Sequence, residues 1–69
     1  MSLRDTPEYK SMNPFDAVLL PEDATETEQL AAWQYISDTG LWRHLEGWYG
    51  RRVSDLIDDG IIEPPANRP

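Results

Sequence analysis

Residues 25–41 read Thr25-Glu26-Thr27-Glu28-Gln29-Leu30-Ala31-Ala32-Trp33-Gln34-Tyr35-Ile36-Ser37-Asp38-Thr39-Gly40-Leu41, and their punctuation decides the fold class. Thr25 and Glu28 have the spacing of a capping box, in which the threonine hydroxyl accepts an early backbone N–H and the glutamate reaches back to the Thr25 amide. Gly40 supplies the left-handed residue that closes a helix. A helix is therefore predicted over 26–38. Leu30, Trp33 and Ile36 recur at helical spacing and are expected to face inward, flanked by Ala31, Ala32 and Tyr35, with Gln29, Gln34 and Ser37 nearer to water. In such a stop the residue after glycine packs on a side chain five positions earlier, which here sets Leu41 on Ile36.

The same punctuation returns downstream, where Leu56-Ile57-Asp58-Asp59-Gly60-Ile61 repeats the form of Ile36-Ser37-Asp38-Thr39-Gly40-Leu41. It predicts a helix over 49–59 with Val53, Leu56 and Ile57 inward, and Ile61 folded back on Leu56. Between the two stops, residues 41–46 make one or two helical turns ended by Gly47. Upstream, Asn13-Pro14-Phe15-Asp16 places a capping residue before a proline at the first helical position, and Pro21 ends what Pro14 begins. Residues 14–20 are expected to form a short clasp whose Phe15, Val18 and Leu19 lie on the main body. Residues 1–12 lack period and read as an extended or mobile arm, while 63–69 hold three of the six prolines and read as an extended tail.

The fold class that follows is all-α: one domain over 13–62, a three-helix body with an N-terminal clasp and extended termini. Its expected core is Phe15, Leu19, Leu30, Trp33, Ile36, Leu41, Leu45, Val53, Leu56 and Ile57, with one of the remaining tryptophans. With 69 residues there is no room for a second domain, and a chain this short buries only roughly 60% of its unfolded surface. Cysteine is absent, which removes disulfides, thiolate metal sites and thiol nucleophiles together. Three Trp, three Tyr and one Phe are the expected substitute for such staples.

Thirteen acidic residues against six basic ones give a net charge of −7. That balance opposes general binding to nucleic acid or anionic lipid, which requires clustered cations. The charge is uneven: residues 41–53 carry three arginines and one glutamate, a local +2 that leaves −9 for the rest of the chain. No apolar stretch approaches a membrane span and the first residues lack a secretory run, so the expected location is the cytoplasm.

The basic island, Trp42-Arg43-His44-Leu45-Glu46-Gly47-Trp48-Tyr49-Gly50-Arg51-Arg52, interleaves rings with cations. Trp, Tyr and Arg are the residues that dominate protein-binding hot spots, and the candidate partner-binding set is Trp42, Arg43, Trp48, Tyr49, Arg51 and Arg52. The same groups suit base stacking and phosphate contact. A purely structural role is the other alternative, with Trp42 and Trp48 in the core and the arginines stacked on them or paired with Asp38, Glu46, Asp55 and Asp58. A short helix, a glycine turn and a second helix also suggest a helix-turn-helix unit, but Asp55, Asp58 and Asp59 would face phosphate unfavourably. His44 is the single histidine, which excludes a two-histidine metal site and leaves a general base without an assigned nucleophile. Asp55, Asp58 and Asp59 lack calcium-loop spacing. Neither catalysis nor a metal or cofactor is expected. The acidic surface itself offers one further role, mimicry of phosphate charge against a nucleic-acid-binding enzyme.

The segments Ala32-Trp33-Gln34-Tyr35-Ile36-Ser37-Asp38-Thr39-Gly40-Leu41, Leu45-Glu46-Gly47-Trp48-Tyr49-Gly50-Arg51 and Leu56-Ile57-Asp58-Asp59-Gly60-Ile61-Ile62 together resemble a family of short phage proteins. Its members carry an Ala-Trp-Gln-aromatic helix, a Thr-Gly stop, a Gly-aromatic-Gly-Arg turn and a final Leu-Ile-x-x-Gly, generally with Gln in place of Glu46. The resemblance spans about residues 30–62 and implies a phage origin and a small helical fold. It brings no activity, cofactor or catalytic residue to carry over. The expected function is that of a phage accessory protein that binds a host or phage protein in the host cytoplasm. A nucleic-acid-directed module and a minor virion protein are the alternatives.

Overall fold

A computed structural model describes residues 3–65. In chain order they form a 3-10 turn at Leu3–Asp5, α1 at Pro7–Lys10, α2 at Pro14–Val18, α3 at Glu26–Thr39, a second 3-10 turn at Leu41–His44 and α4 at Gly47–Asp58, with no strand among them. The small all-α fold expected from the sequence is the fold observed. Helix α3 is its axis, and the other elements pack around it.

Both ends of α3 are set by local groups. The Glu28 amide donates to Thr25 Oγ1 at 3.1 Å and the Thr25 amide to Glu28 Oε1 at 3.0 Å, closing both halves of the capping box. Gly40 ends the helix at φ 71°, and its N–H donates to the Ser37 carbonyl. The Leu41 amide turns to the Thr39 hydroxyl at 3.3 Å, and the Leu41 side chain joins the cluster that contains Ile36. At the second stop Gly60 has φ 75°, and the Ile61 amide donates to the Leu56 carbonyl at 2.9 Å. The side chain that folds back there is not Ile61, which is 45% exposed, but Ile62, which is buried at 3%.

Gly47 does not stop a helix but starts one, as the first residue of α4 behind Glu46. The preceding turn ends on Leu45, whose extended backbone (φ −111°, ψ 177°) redirects the chain, so no left-handed residue is needed at Gly47. The first amides of a helix have no partner within it, which makes a flexible residue tolerable at that position.

The clasp also docks differently from its expected form. Asn13 Oδ1 caps α2 by accepting from the Asp16 amide at 2.9 Å, as its sequence indicates. Its contact with the body runs through Ala17, buried at 6%, and Leu20, whereas Phe15 and Leu19 are 77% and 71% exposed. The buried cluster is Ala17, Ala32, Ile36, Val53, Leu56 and Ile62, with Trp33, Leu41, Trp42, Tyr49 and Ile57 packed partly against it. Leu30 and Leu45 are only half-buried.

An extended or mobile arm is expected over 1–12; residues 1 and 2 lie outside the described residues, and Leu3–Asp5 and Pro7–Lys10 are helical turns packed on α3. Thr6 Oγ1 accepts from the Tyr9 amide at 3.2 Å ahead of Pro7, the same device as Asn13 before Pro14. The Cα radius of gyration, 11.1 Å, matches the ~11 Å of a compact chain of this length.

What holds this segment is a polar cluster. Asp38 Oδ2 accepts from Arg4 Nε and from the Tyr9 hydroxyl, both at 2.7 Å, and Asp38 Oδ1 accepts from Arg4 Nη2 at 2.8 Å and Gln34 Nε2 at 3.1 Å. Arg4 also reaches the Glu63 carboxylate and the Pro64 carbonyl. Gln34, expected near water, is fully buried: its amide donates to the Glu63 carbonyl at 3.0 Å and its oxygen accepts the Glu63 N–H at 2.7 Å. The start of the chain, α3 and the segment after α4 are thereby joined through one carboxylate and one amide. Of the expected tail, 66–69 lie outside the described residues, and Glu63 and Pro64 are bound into this cluster.

Burial and the Asp38 hydrogen bond push the Tyr9 phenol up to about 12. The Asp38 hydrogen bond likewise raises Arg4 above its ordinary value. Because Tyr9 holds its proton more tightly in the folded state, its contribution to stability is complete below its unfolded value of about 10 and is lost as pH rises through about 12. The difference between ultraviolet titrations of the wild type and Tyr9→Phe is expected to show the Tyr9 phenol ionising well above its ordinary value of about 10; ionisation of Tyr9 at that ordinary value in the folded protein would contradict the cluster.

Ser37 is 1% exposed, and its hydroxyl has no hydrogen-bond partner among the described residues. An orphaned hydroxyl carries its full desolvation cost, and alanine has the higher helix propensity. Ser37→Ala is expected to raise stability by about 1 kcal/mol, read as a higher urea midpoint. A lower midpoint would mean that a bound water satisfies the hydroxyl.

Candidate functional site

Helix α4 carries the basic island, and its sequence spacing settles which side of it each group takes. Val53 and Leu56 are buried and Tyr49 is half-buried beside them, which turns Trp48, Arg51, Arg52, Asp55 and Asp58 outward. Gly50 and Trp48 stand two residues apart, about 200° around the helix. The island is therefore divided between two flanks of α4.

On the Gly50 flank lies Trp42. A Cβ at position 50 would sit 3.0 Å from Trp42 Cε3, so glycine is what lets the ring approach the helix backbone. The Arg43 guanidinium stands 5.3 Å from the Trp42 ring centroid, within cation–π range. This pair fits the structural alternative in part, since Trp42 is half-buried and Arg43 lies over it.

On the opposite flank Trp48 is 46% exposed and stacks on Tyr49, with ring centroids 4.0 Å apart and planes 27° from parallel. Trp33 of α3 meets the edge of Trp48 at 6.2 Å and tilts against Tyr49 at 5.8 Å. These three rings line an open groove of about 300 Å³, together with Ala32 and Ile36 of α3 and Val18 and Pro21 from the clasp side. The period of α3 predicts Trp33 in the core, and the ring is half-buried against it. Its place among the groove rings depends on where α4 crosses α3, which no spacing within α3 encodes.

Arg51 and Arg52 are exposed, and neither they nor Arg43 forms an ion pair among the described residues. Asp38, one of the carboxylates considered for them, is engaged by Arg4. Arg52 follows Trp48 by four residues and shares its stripe. Trp33, Trp48 and Tyr49 thus come together, Arg51 and Arg52 are exposed on the same side of α4 as Trp48, and Trp42 with Arg43 lies round the helix. Of the three island rings, one is exposed, two are half-buried and none is buried outright.

His44 is exposed on the second 3-10 turn. Among the described residues no three His, Asp or Glu side chains gather as a metal-binding group, and no helix is long and apolar enough to cross a membrane. No protein-family model matches this chain, and no curated protein or solved structure is significantly similar to it.

Proposed function

We propose that this chain is a phage-encoded accessory protein that works by non-catalytic binding to a protein of the host or of the phage, in the host cytoplasm. The binding face is the Trp48 flank of the island, made by Trp48, Tyr49, Arg51 and Arg52, while Trp42 and Arg43 support α4 from its other flank. One observation carries the reading: a half-exposed tryptophan, stacked on a tyrosine at the mouth of an aromatic groove, beside arginines that spend their charge on no carboxylate of the described residues. Rings held by stacking lose little entropy on binding, and arginine beside them adds directional donors, the combination that concentrates binding energy in protein interfaces.

The charge pattern favours protein over nucleic acid as the partner. Asp55, Asp58 and Asp59 are exposed on the helix that carries Arg51 and Arg52, and would stand against a phosphate backbone while remaining compatible with a mixed-charge protein surface. The test is affinity capture from host lysate with the wild type beside an Arg51→Glu/Arg52→Glu variant shown by circular dichroism to be folded. Loss of a captured protein with the variant is the expected result. A partner retained by the variant would remove the island from the binding face, and a captured nucleic acid in place of a protein would overturn the partner class.

A further inference from the structure

We infer that a second surface, the groove between α1, α2 and the start of α3, docks a basic amphipathic segment of a partner protein. Two kinds of side chain make it. Met12, Leu19 and Leu20 supply apolar lining, and Glu8, Asp16 and Glu28 supply carboxylates around an open volume of about 310 Å³. Leu19 is 71% exposed, and Phe15, one helical turn earlier on α2, is 77% exposed. Leu19, at the C-terminal cap of α2, lines this groove, while Phe15 extends the apolar surface on its other side with Pro14, Val18 and Leu41; with the body contact made by Ala17 instead, they form the kind of exposed apolar patch that marks an interaction surface.

The charge around the groove that Leu19 shares with Met12 and Leu20 selects the occupant. Glu8, Asp16 and Glu28 form no ion pair among the described residues, and the groove lining contains no cation. The hydrogen bonds that Asp16 receives from the Asn13 side-chain amide and Glu28 from the Thr25 backbone amide come from neutral donors, so neither carboxylate is paired with a cation among the described residues. An acidic rim on an apolar floor is complementary to a segment with leucine-like side chains on one face and lysine or arginine beside them. The whole-chain charge of −7 steers such a segment toward the protein and opposes a second copy of this chain, which would bring the same net charge.

The probe is a synthetic helix-forming peptide with leucines on one face and lysines on the other, titrated into the intact chain and followed by backbone amide chemical shifts. The expected result is that shifts centre on Met12, Leu19 and Glu28. Leu19→Ser, and separately Glu8→Gln/Asp16→Asn, should each weaken binding by about tenfold or more, while Asp58→Asn/Asp59→Asn leaves it unchanged. Every position changed is exposed or half-buried, and each variant is checked for an unchanged helical spectrum. The proposal is overturned if both pairs of neutralised carboxylates weaken binding equally, since that is attraction to net charge alone. It is equally overturned if a peptide with serine in place of leucine binds as well, or if shifts centre on Trp48 and Arg52. Concentration-dependent self-association abolished by Leu19→Ser would replace the partner segment with a second copy.

Discussion

Asp38→Ala is expected to be the most destabilising single substitution at a polar residue of this chain, lowering stability by about 3 kcal/mol. The carboxylate accepts four hydrogen bonds from Arg4, Tyr9 and Gln34, and its side chain is 7% exposed. Its removal leaves the Tyr9 hydroxyl without this acceptor, takes one of the acceptors of the buried Gln34 amide and strips Arg4 of its bidentate partner. Arg4 is the more exposed of the pair at 24% and keeps its contact with Glu63, which places the loss at the lower end of the range for broken buried pairs. A domain of this size has about 3–10 kcal/mol in all, so the variant should be largely unfolded or shifted to a much lower urea midpoint. The control is Asp58→Ala on the exposed side of α4. Equal midpoints for the two variants would show that the cluster contributes nothing to folding.

Trp48→Ala is expected to separate binding from stability. The ring is 46% exposed, and its stack on Tyr49 and edge contact with Trp33 contribute about 1 kcal/mol to the fold. As the centre of a binding face it should carry 2 kcal/mol or more, about a thirtyfold loss of affinity for the captured partner. Trp42→Ala is the opposite case, because that ring packs on the backbone at Gly50 and holds the 3-10 turn against α4. A binding isotherm and a urea curve for each variant decide the matter. Unchanged affinity for Trp48→Ala with a partner in hand would remove the aromatic groove from the interface.

Much of the chain's local structure is legible in its residues. The capping pairs Thr25 with Glu28 and Asn13 with Pro14, and the glycines at 40 and 60, act within a turn of where they stand, and the structure places each as its chemistry requires. The same signal at Thr6-Pro7 marks α1, so the packed segment at the start of the chain was readable from its own cap. Its scattered apolar residues lack a period and favour an arm, but its cap outweighs them. The candidate island was legible as a composition, but not its division between two flanks, which follows from where Gly47 starts α4 and where Trp42 meets Gly50.

Local residue chemistry suffices for an all-α fold, the ends of its central helix, and the concentration of rings and arginines around α4. Tertiary structure alone decided that Gln34 and Ser37 are buried, that Phe15 and Leu19 are not, and that Ile62 takes the core place open to Ile61. The reason is physical range. A cap or a glycine stop is settled by groups within about five residues of each other. Arg4 meets Asp38 across 34 positions and Glu63 across 59, and burial of Gln34 depends on the chain returning after α4 to bring the Glu63 backbone to its amide. A helix surrounded on several sides has no single wet face, so the period of its apolar residues describes only part of what it buries.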